Sequence, residues 1–448
     1  MFKLFRKILR EDNFLSLSGN LIIAVFGFGG FALLARTLTP EDFAEWVLFI
    51  SGGSLIEMLR YGITNNGLVR FLSGATDEDR DHLIGSNVLV SLIVTVIIVG
   101  ILAGVYFGFQ EAIDDSAYAA LFKWYPIVAF INLPFNNALV VQQAKMEYGK
   151  ILLIRSISST LFFGFLVVNY FYMDYSINEI IIGFIVFTII TSIFCISKSW
   201  DGLALIRKAN KESISTLLHF GKYSTFTLIG TNLLRNADVL IISVSPFGSA
   251  AVALFSIPLK LTELQQIPLR SFAATAYPKM SKASIEGRTN DLKGLFNTYS
   301  GALTYLFFFI SLGTFLFAKE FIILVSGTQY LDVALHGIDI VLIVKILSLY
   351  GLMLPIDRMI GISLDSINKP SINALKVMIM LTANIIGDLI AIYVFESIEM
   401  VAVSTLVFTL TGILVGMYYL DKTFRISIAG ILKSANGFYR NLLLNFSR

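Results

Sequence analysis

The chain has 448 residues, of which 56% are apolar and only 15% are charged. A soluble fold of this size would leave large apolar patches in water, so the composition argues against a soluble enzyme and against a disordered chain. The formal net charge of +3 is too small to indicate a nucleic-acid partner, and the single cysteine, Cys195, excludes an internal disulfide. The composition therefore predicts an all-α polytopic membrane protein whose first partner is the lipid bilayer.

Twelve segments are apolar and long enough to cross a bilayer, which takes about 20 residues. The predicted spans cover residues 14–36, 42–63, 83–108, 117–141, 150–172, 177–197, 216–244, 250–277, 297–318, 332–364, 370–395 and 398–420. We expect the second, eighth and tenth to be the least apolar because they carry charges. The first is too long for a signal sequence and is expected to be a retained helix.

Basic residues in the connecting segments predict the orientation of these spans. Only Arg36 and Lys319 fall in segments on one side, whereas the other loop cations share a side with both chain ends. Both termini are therefore predicted to be cytoplasmic. The largest connection on that side, 198–215, suggests two six-helix bundles around a central cavity.

The predicted domains follow from this division. They are an N-terminal bundle with an amphipathic leading segment at 1–212, a C-terminal bundle at 213–422, and an amphipathic cytoplasmic tail at 423–448. The glycine spacing Gly100–Gly104–Gly108 is typical of a helix-packing face.

The sequence contains none of the common catalytic or metal-binding motifs of soluble enzymes. The sequence contains no phosphate-binding GxxxxGK[ST] loop, no HExxH zinc motif and no cysteine pair, so we expect no catalytic residues, no metal site and no cofactor.

Ionisable residues inside the spans are the main functional signal, because each costs about 2.5–3.5 kcal/mol at the bilayer centre. The cations are Arg60, Arg235, Lys260, Arg270, Lys345 and Arg358, and the acids that accompany them include Glu57, Asp238, Glu263 and Asp388. Two interpretations stay open. The charges could pair three residues apart, as Glu57–Arg60, Arg235–Asp238 and Lys260–Glu263, and only stabilise the bundle. Alternatively, the staggered cations line a hydrated cavity and bind the phosphates of an anionic lipid substrate.

Proline residues within the spans mark candidate hinges at Pro258, Pro268 and Pro355, and static kinks are an equally good explanation. Pro126 and Pro134 mark a possible bend in the fourth span. Polar residues that could contact a sugar include Asn65, Asn66, Asn132, Asn136 and Gln265.

The stretch LARTLTPEDFAEWVLFISGGSLIEMLRYGI, residues 34–63, resembles the first-to-second-helix signature of polysaccharide flippases. Residues 235–244, 326–344 and 364–395 are also similar to segments of that family, although Ala44 stands where the family often has glycine. The chain thus resembles the Wzx-type, O-antigen branch of the multidrug/oligosaccharidyl-lipid/polysaccharide exporter superfamily.

This resemblance implies a flippase of the bacterial inner membrane rather than an enzyme. It would move undecaprenyl-diphosphate-linked oligosaccharide to the periplasmic leaflet by alternating access, be driven by a H⁺ or Na⁺ gradient, and supply a polysaccharide polymerase. Arg60 and Arg270 would contact the diphosphate first, Lys260 and Lys345 midway, and Arg235 nearest the exit. The acids would either carry the coupling ion or balance charge.

Two other functions stay open. One is a cation-coupled exporter of drugs or small metabolites from the same superfamily. The other is a membrane polysaccharide polymerase or acyltransferase, which the short outer loops disfavour because such an enzyme is expected to carry a large outward loop.

Overall fold

The computed structural model describes residues 12–62, 64–72, 75–332, 337–427, 429–431 and 433–436. The regular elements of these residues are helices. They are α1 Asp12–Thr37, α2 Pro40–Gly62, α3 Asn65–Leu72, α4 Asp77–Gly108, α5 Gln110–Asp114, α6 Ala119–Ile131, α7 Leu133–Ala144, α8 Tyr148–Tyr172, α9 Ile177–Ser197, a 3₁₀ helix Leu203–Lys208, α10 Lys211–Ser243, α11 Ser249–Ile285, α12 Thr289–Leu316, α13 Ala318–Ser326, α14 Ile340–Ser366, α15 Pro370–Tyr393 and α16 Ile398–Asp421.

The twelve predicted spans each coincide with a long helix or, for the fourth, with the pair α6 and α7. Among the described residues, seven helices are long and apolar enough to cross a membrane, and the α6–α7 pair makes an eighth candidate. The prediction that the tenth span is among the least apolar is wrong. Its helix α14 begins only at Ile340, which leaves out the polar residues before it. The most apolar 18-residue stretch of α14 has a mean hydropathy of 2.0, above the 1.5 of the corresponding stretch of α12.

The fourth span is broken at Asn132, where α6 and α7 meet at an angle of 51°. Pro134 is the second residue of α7. Because proline lacks an N–H and its ring clashes with the preceding turn, it fits at the start of a new helix and not within a continuous one. The bend expected from this proline is therefore present.

The three prolines predicted as hinges lie inside continuous helices. Pro258 and Pro268 are within α11, and Pro355 is within α14. Pro258 and Pro355 are buried. Their role as hinges stays a prediction.

The helices form two compact units, Met1–Asn232 and Leu233–Arg448. The division falls within α10, whereas the sequence analysis placed it at residues 212 and 213. Each unit has its own apolar core. Leu68 and Ile84 are buried in the first unit, and Phe296 and Met359 in the second.

The start of the predicted cytoplasmic tail packs into the second unit. Phe424 and Ile431 are buried in the same cluster as Phe296, and Asn436 accepts a hydrogen bond from Tyr305 on α12 at 2.8 Å. Residues 1–11 and 437–448 of the two predicted amphipathic segments lie outside the described residues.

The loop after α9 packs tightly on α4. Lys208 forms an ion pair with Asp81 at 2.6 Å, and the Asn210 backbone N–H donates to Ser86 Oγ at 3.2 Å. At Gly85 an added Cβ would lie 2.2 Å from the Leu205 carbonyl oxygen. This close backbone approach requires glycine.

By contrast, Gly100, Gly104 and Gly108 have nothing within 4 Å of an added Cβ in the described part of the chain. The packing face predicted from their spacing is therefore not used among the described residues.

Candidate functional site

Arg60, on α2 of the first unit, is completely buried and bonded to protein acceptors on every side. Its Nη1 contacts Glu57 Oε1 at 2.6 Å and Asn132 Oδ1 at 3.1 Å. Its Nη2 donates to the Ala129 carbonyl at 2.6 Å, and its Nε donates to Thr95 Oγ1 at 3.1 Å. The guanidinium therefore joins α2, α4, α6 and Asn132, and a phosphate could reach it only by displacing one of these acceptors.

Glu57 is the counter-charge of Arg60, which agrees with the first of the predicted pairs. Its Oε1 also accepts hydrogen bonds from the Tyr125 hydroxyl and from Asn132 Nδ2, the latter at 3.1 Å. Its Oε2 accepts one, from Asn136 Nδ2 at 3.0 Å. The Glu57 side chain remains 25% exposed, so part of this carboxylate faces open space.

That space is a cavity of about 370 Å³ between α2, α3 and α7, which we name the Glu57 cavity. Its polar lining residues are Ser54, Glu57, Tyr61, Asn65, Asn136 and Gln143. The amide oxygen of Asn65 is buried and accepts no hydrogen bond from the described part of the chain. Asn65 and Asn136 are two of the residues that the sequence analysis singled out as sugar contacts, and the structure brings both to one cavity.

Arg235 and Lys260, in the second unit, share one carboxylate. Glu263 accepts from Arg235 Nη2 at 2.5 Å and from Lys260 Nζ at 2.7 Å. The predicted pair Lys260–Glu263 is present, whereas Arg235 bonds across to α11 instead of pairing with Asp238 on its own helix. Both cations bond the same carboxylate, and 53% of the Arg235 side chain is exposed.

The remaining predicted cations also lie in the second unit. Arg270 and Arg358 are exposed, and Lys345 is half-buried with its ammonium 5.6 Å from the centre of the Phe315 ring. Within the described residues, none of these three forms an ion pair. They are therefore available to an anion, and their role in binding diphosphate stays a prediction.

Asp238 and Asp388 form a buried carboxylate pair in the second unit, held together by an amide. Asn384 Nδ2 donates to Asp238 at 2.8 Å and to Asp388 at 3.1 Å, and Thr405 Oγ1 lies 3.4 Å from Asp238. Asp388 and Asn384 are fully buried, and each has a side-chain oxygen that accepts no hydrogen bond. No lysine or arginine within the described residues forms an ion pair with either carboxylate.

The sequence analysis identified the two acids of this cluster but missed Asn384 and Thr405. The signal that would have found Asn384 is its spacing, since it lies one helical turn before Asp388 on α15. Thr405 lies on α16, and only packing brings it to Asp238.

Lys376, on α15, is a further intramembrane cation that the sequence analysis missed. It is buried, and its Nζ bonds Asp357 Oδ1 on α14 at 2.5 Å. Because the buried Lys376 ammonium is already paired, it stabilises the contact between two helices and is not available to an anion.

Comparisons with known proteins are consistent with this architecture. The model of the polysaccharide biosynthesis protein family matches residues 9–284. No curated protein matches the sequence significantly.

Several solved structures share the fold. An inward-facing multidrug resistance MATE family transporter of the MOP superfamily matches with a TM-score of 0.71 and 15% identity, over 91% of this chain and 96% of that one. The lipid II flippase MurJ, in an inward closed conformation, matches with a TM-score of 0.69 and 15% identity, over 96% and 91%. A MOP superfamily transporter from Pyrococcus furiosus matches with a TM-score of 0.62 and 16% identity, over 92% and 94%. The predicted all-α fold, with twelve spans in two bundles, is confirmed, while a cavity shared by the two bundles stays a prediction.

Proposed function

Because this chain belongs to the polysaccharide biosynthesis protein family, we propose that it is a flippase for an undecaprenyl-diphosphate-linked oligosaccharide. It would carry this lipid by alternating access from the cytoplasmic to the periplasmic leaflet of a bacterial inner membrane, with both termini cytoplasmic. A polysaccharide polymerase would use the product for a surface polysaccharide. The observation that carries the proposal is the family match, and the fold shared with a lipid II flippase supports it.

The cations of the second unit suit a diphosphate. Arg235 and Lys260 both bond Glu263, and Arg270, Lys345 and Arg358 add cations without ion pairs among the described residues. Phosphate oxygens bind arginine forks and lysine ammonium groups strongly where water is scarce. We therefore assign diphosphate binding to these five cations, and not to the enclosed Arg60.

The coupling ion is assigned to the carboxylate pair Asp238–Asp388. Two buried carboxylates that no described cation pairs with are too costly to remain charged, so we expect the pair to hold a proton or a small cation. The oxygen atoms of Asp238, Asn384, Asp388 and Thr405 are ligands of the type that hard cations such as Na⁺ prefer. A gradient of H⁺ or Na⁺ could thus drive transport through this cluster.

A second candidate function is cation-coupled export of drugs or small metabolites. The likeness to the MATE family transporter, with a TM-score of 0.71, favours it. The exposed cations Arg235, Arg270 and Arg358 of the second unit disfavour a cationic drug, because they repel a cargo of the same charge.

Reconstitution in proteoliposomes tests the two functions against each other. The purified protein is incorporated with a fluorescent undecaprenyl-diphosphate-linked oligosaccharide, and exposure of the label to an impermeant quencher is followed with and without an ion gradient. The flippase proposal expects faster exposure in liposomes that contain the protein, and no uptake of ethidium. Ethidium transport without movement of the lipid would overturn it in favour of the exporter.

A further inference from the structure

We infer that the Glu57 cavity binds one neutral sugar residue of the transported head group, and that Arg60 positions this site without touching the diphosphate. The inference deepens the proposed function and rests on it, since it assigns the sugar and the diphosphate of one substrate to different sites. It starts from the cavity of about 370 Å³ on the first unit.

The charge balance of the cavity wall favours a neutral ligand. Glu57 is the charged residue of the lining, and its carboxylate is compensated by Arg60 at 2.6 Å. The guanidinium is buried behind the wall with its donors engaged, so an anion entering the cavity meets a carboxylate and no free cation. A cationic ligand gains little as well, because the charge of Glu57 is already paired.

The lining residues include hydrogen-bond acceptors that lack donors. Among the described residues, no donor bonds the buried Asn65 amide oxygen, and Glu57 Oε2 receives a single hydrogen bond, from Asn136. A carboxylate oxygen can accept more than one hydrogen bond, and a buried acceptor without a donor costs free energy. Hydroxyl groups of a sugar supply these donors, whereas phosphate oxygens at neutral pH are acceptors and leave them unsatisfied.

The remaining lining residues and the volume also fit a sugar. Ser54 and Gln143 add neutral polar groups, and Met58 and Val140 add apolar surface for the C–H faces of a pyranose ring. Ligand sites typically measure about 300–1,000 Å³, so this cavity is at the small end of that range. It accommodates a single sugar residue and not a whole oligosaccharide.

Binding of soluble probes to the full-length protein in lipid nanodiscs tests the inference. Saturation-transfer NMR is recorded with glucose, galactose, N-acetylglucosamine, glucuronic acid, pyrophosphate and tetraphenylphosphonium. We expect at least one neutral sugar to bind. The substitution Asn65→Leu should weaken that binding about tenfold, because it removes one hydrogen bond to a buried acceptor. The matched control Asn178→Leu changes an exposed residue outside the cavity and should leave binding unchanged.

Pyrophosphate provides the second arm of the test. Any binding of it should be insensitive to Asn65→Leu, because we assign it to the second unit. The inference is overturned if no neutral sugar binds in an Asn65-dependent manner, or if the Asn65-dependent ligand is pyrophosphate, glucuronic acid or tetraphenylphosphonium. Should Asn65→Leu fail to fold, Gln143→Leu removes another polar group of the same lining and carries the same expectation.

The flipping assay separates this inference from the proposed function. If the wild-type protein exposes the labelled lipid and Asn65→Leu does so at the same rate and apparent KM, the sugar site is wrong and the flippase proposal stands. If the wild-type protein moves no lipid while sugar binding depends on Asn65, the proposed function fails and the cavity remains a sugar site.

Discussion

Arg60 shows how a single buried charge can be structural inside an apolar helical bundle. A guanidinium inside an apolar bundle is tolerated only when its N–H groups meet acceptors, and here acceptors from three helices surround it. Its removal would leave the Glu57 carboxylate without its counter-charge. The stabilising free energy therefore belongs to the Arg60–Glu57 pair and cannot be assigned to either residue alone.

We expect Arg60→Ala to lower the free energy of unfolding by about 3–5 kcal/mol, the cost of breaking a buried ion pair. Thermal unfolding of the purified protein in detergent measures the loss. Arg270→Ala is the control, because this exposed cation has no ion pair among the described residues and should change stability by no more than about 0.5 kcal/mol. Equal melting temperatures for the two variants would contradict a structural role for Arg60.

Asp388 allows a second test at the residue scale. If the pair Asp238–Asp388 binds Na⁺, adding NaCl in place of KCl should raise the melting temperature of the wild-type protein, because a ligand that binds only the folded state stabilises it. Asp388→Asn should abolish this rise. If the pair holds a proton instead, the rise is absent in both proteins, and Asp388→Asn removes the dependence of lipid flipping on a pH gradient.

The control for this substitution is Asp365→Asn. Asp365 is an acid of the same unit whose carboxylate accepts hydrogen bonds from Asn373 at 3.1 and 3.2 Å. The dependence on the ion should survive in this variant. Retention of full ion dependence by Asp388→Asn would rule out the carboxylate pair as the coupling site.

Among the elements, α4 carries glycines of two different kinds. Gly85 lies where the loop after α9 touches the helix, with the Leu205 carbonyl 2.2 Å from an added Cβ. Gly100 faces open space on the same helix. Their surroundings predict opposite effects for the same substitution.

We expect Gly85→Ala to destabilise the protein by about 1–3 kcal/mol, because the backbone of the loop would have to move. Gly100→Ala should be neutral or stabilising by up to about 1 kcal/mol, since alanine is the better helix former. Melting temperatures of both variants in the same detergent check this pair. A larger loss for Gly100→Ala would indicate that this face is packed in the protein, as the glycine spacing first suggested.

The broken fourth span illustrates which features of an element are local. Pro134 marks a position where the helix can be interrupted, because the missing N–H is a property of that residue, whereas Pro258 and Pro355 lie inside helices that continue. The angle of 51° depends on how α6 and α7 pack against their neighbours. The break also brings Asn132 to Arg60 and Asn136 to Glu57.

On the scale of the whole molecule, large apolar side chains remain exposed along the spans, as lipid-facing surfaces require. Ile97 and Ile101 on α4 are 55% and 59% exposed, in a helix whose apolar window has a mean hydropathy of 3.0. A charge on this surface would have to enter hydrocarbon.

We expect Ile97→Lys to disfavour membrane insertion of α4 by about 2.5–3.5 kcal/mol, whereas Ile97→Leu should have no effect. The inserted fraction of the full chain in isolated membranes measures this difference. Normal insertion of the lysine variant would show that this side of α4 faces protein or water and not lipid.

The apolar runs of the sequence determined the class of protein and the twelve helices, and Pro134 marked where the fourth span could bend. These are local properties, because burial in a bilayer is decided over about 20 consecutive residues and helix breaking over one turn. The excess of cations inside the spans was also visible, as was the resemblance to polysaccharide flippases.

Only the tertiary structure decided which charge meets which partner. Arg235 bonds to Glu263 on α11 and not to Asp238, and Asp238 lies beside Asn384 and Thr405 from two other helices. Spacing along one helix gives the face on which a side chain lies, but the rotation and packing of neighbouring helices choose its partner. For the same reason the sequence could name Asn65 and Asn136 as polar candidates, while their meeting with Glu57 in one cavity follows from the packing of α2, α3 and α7.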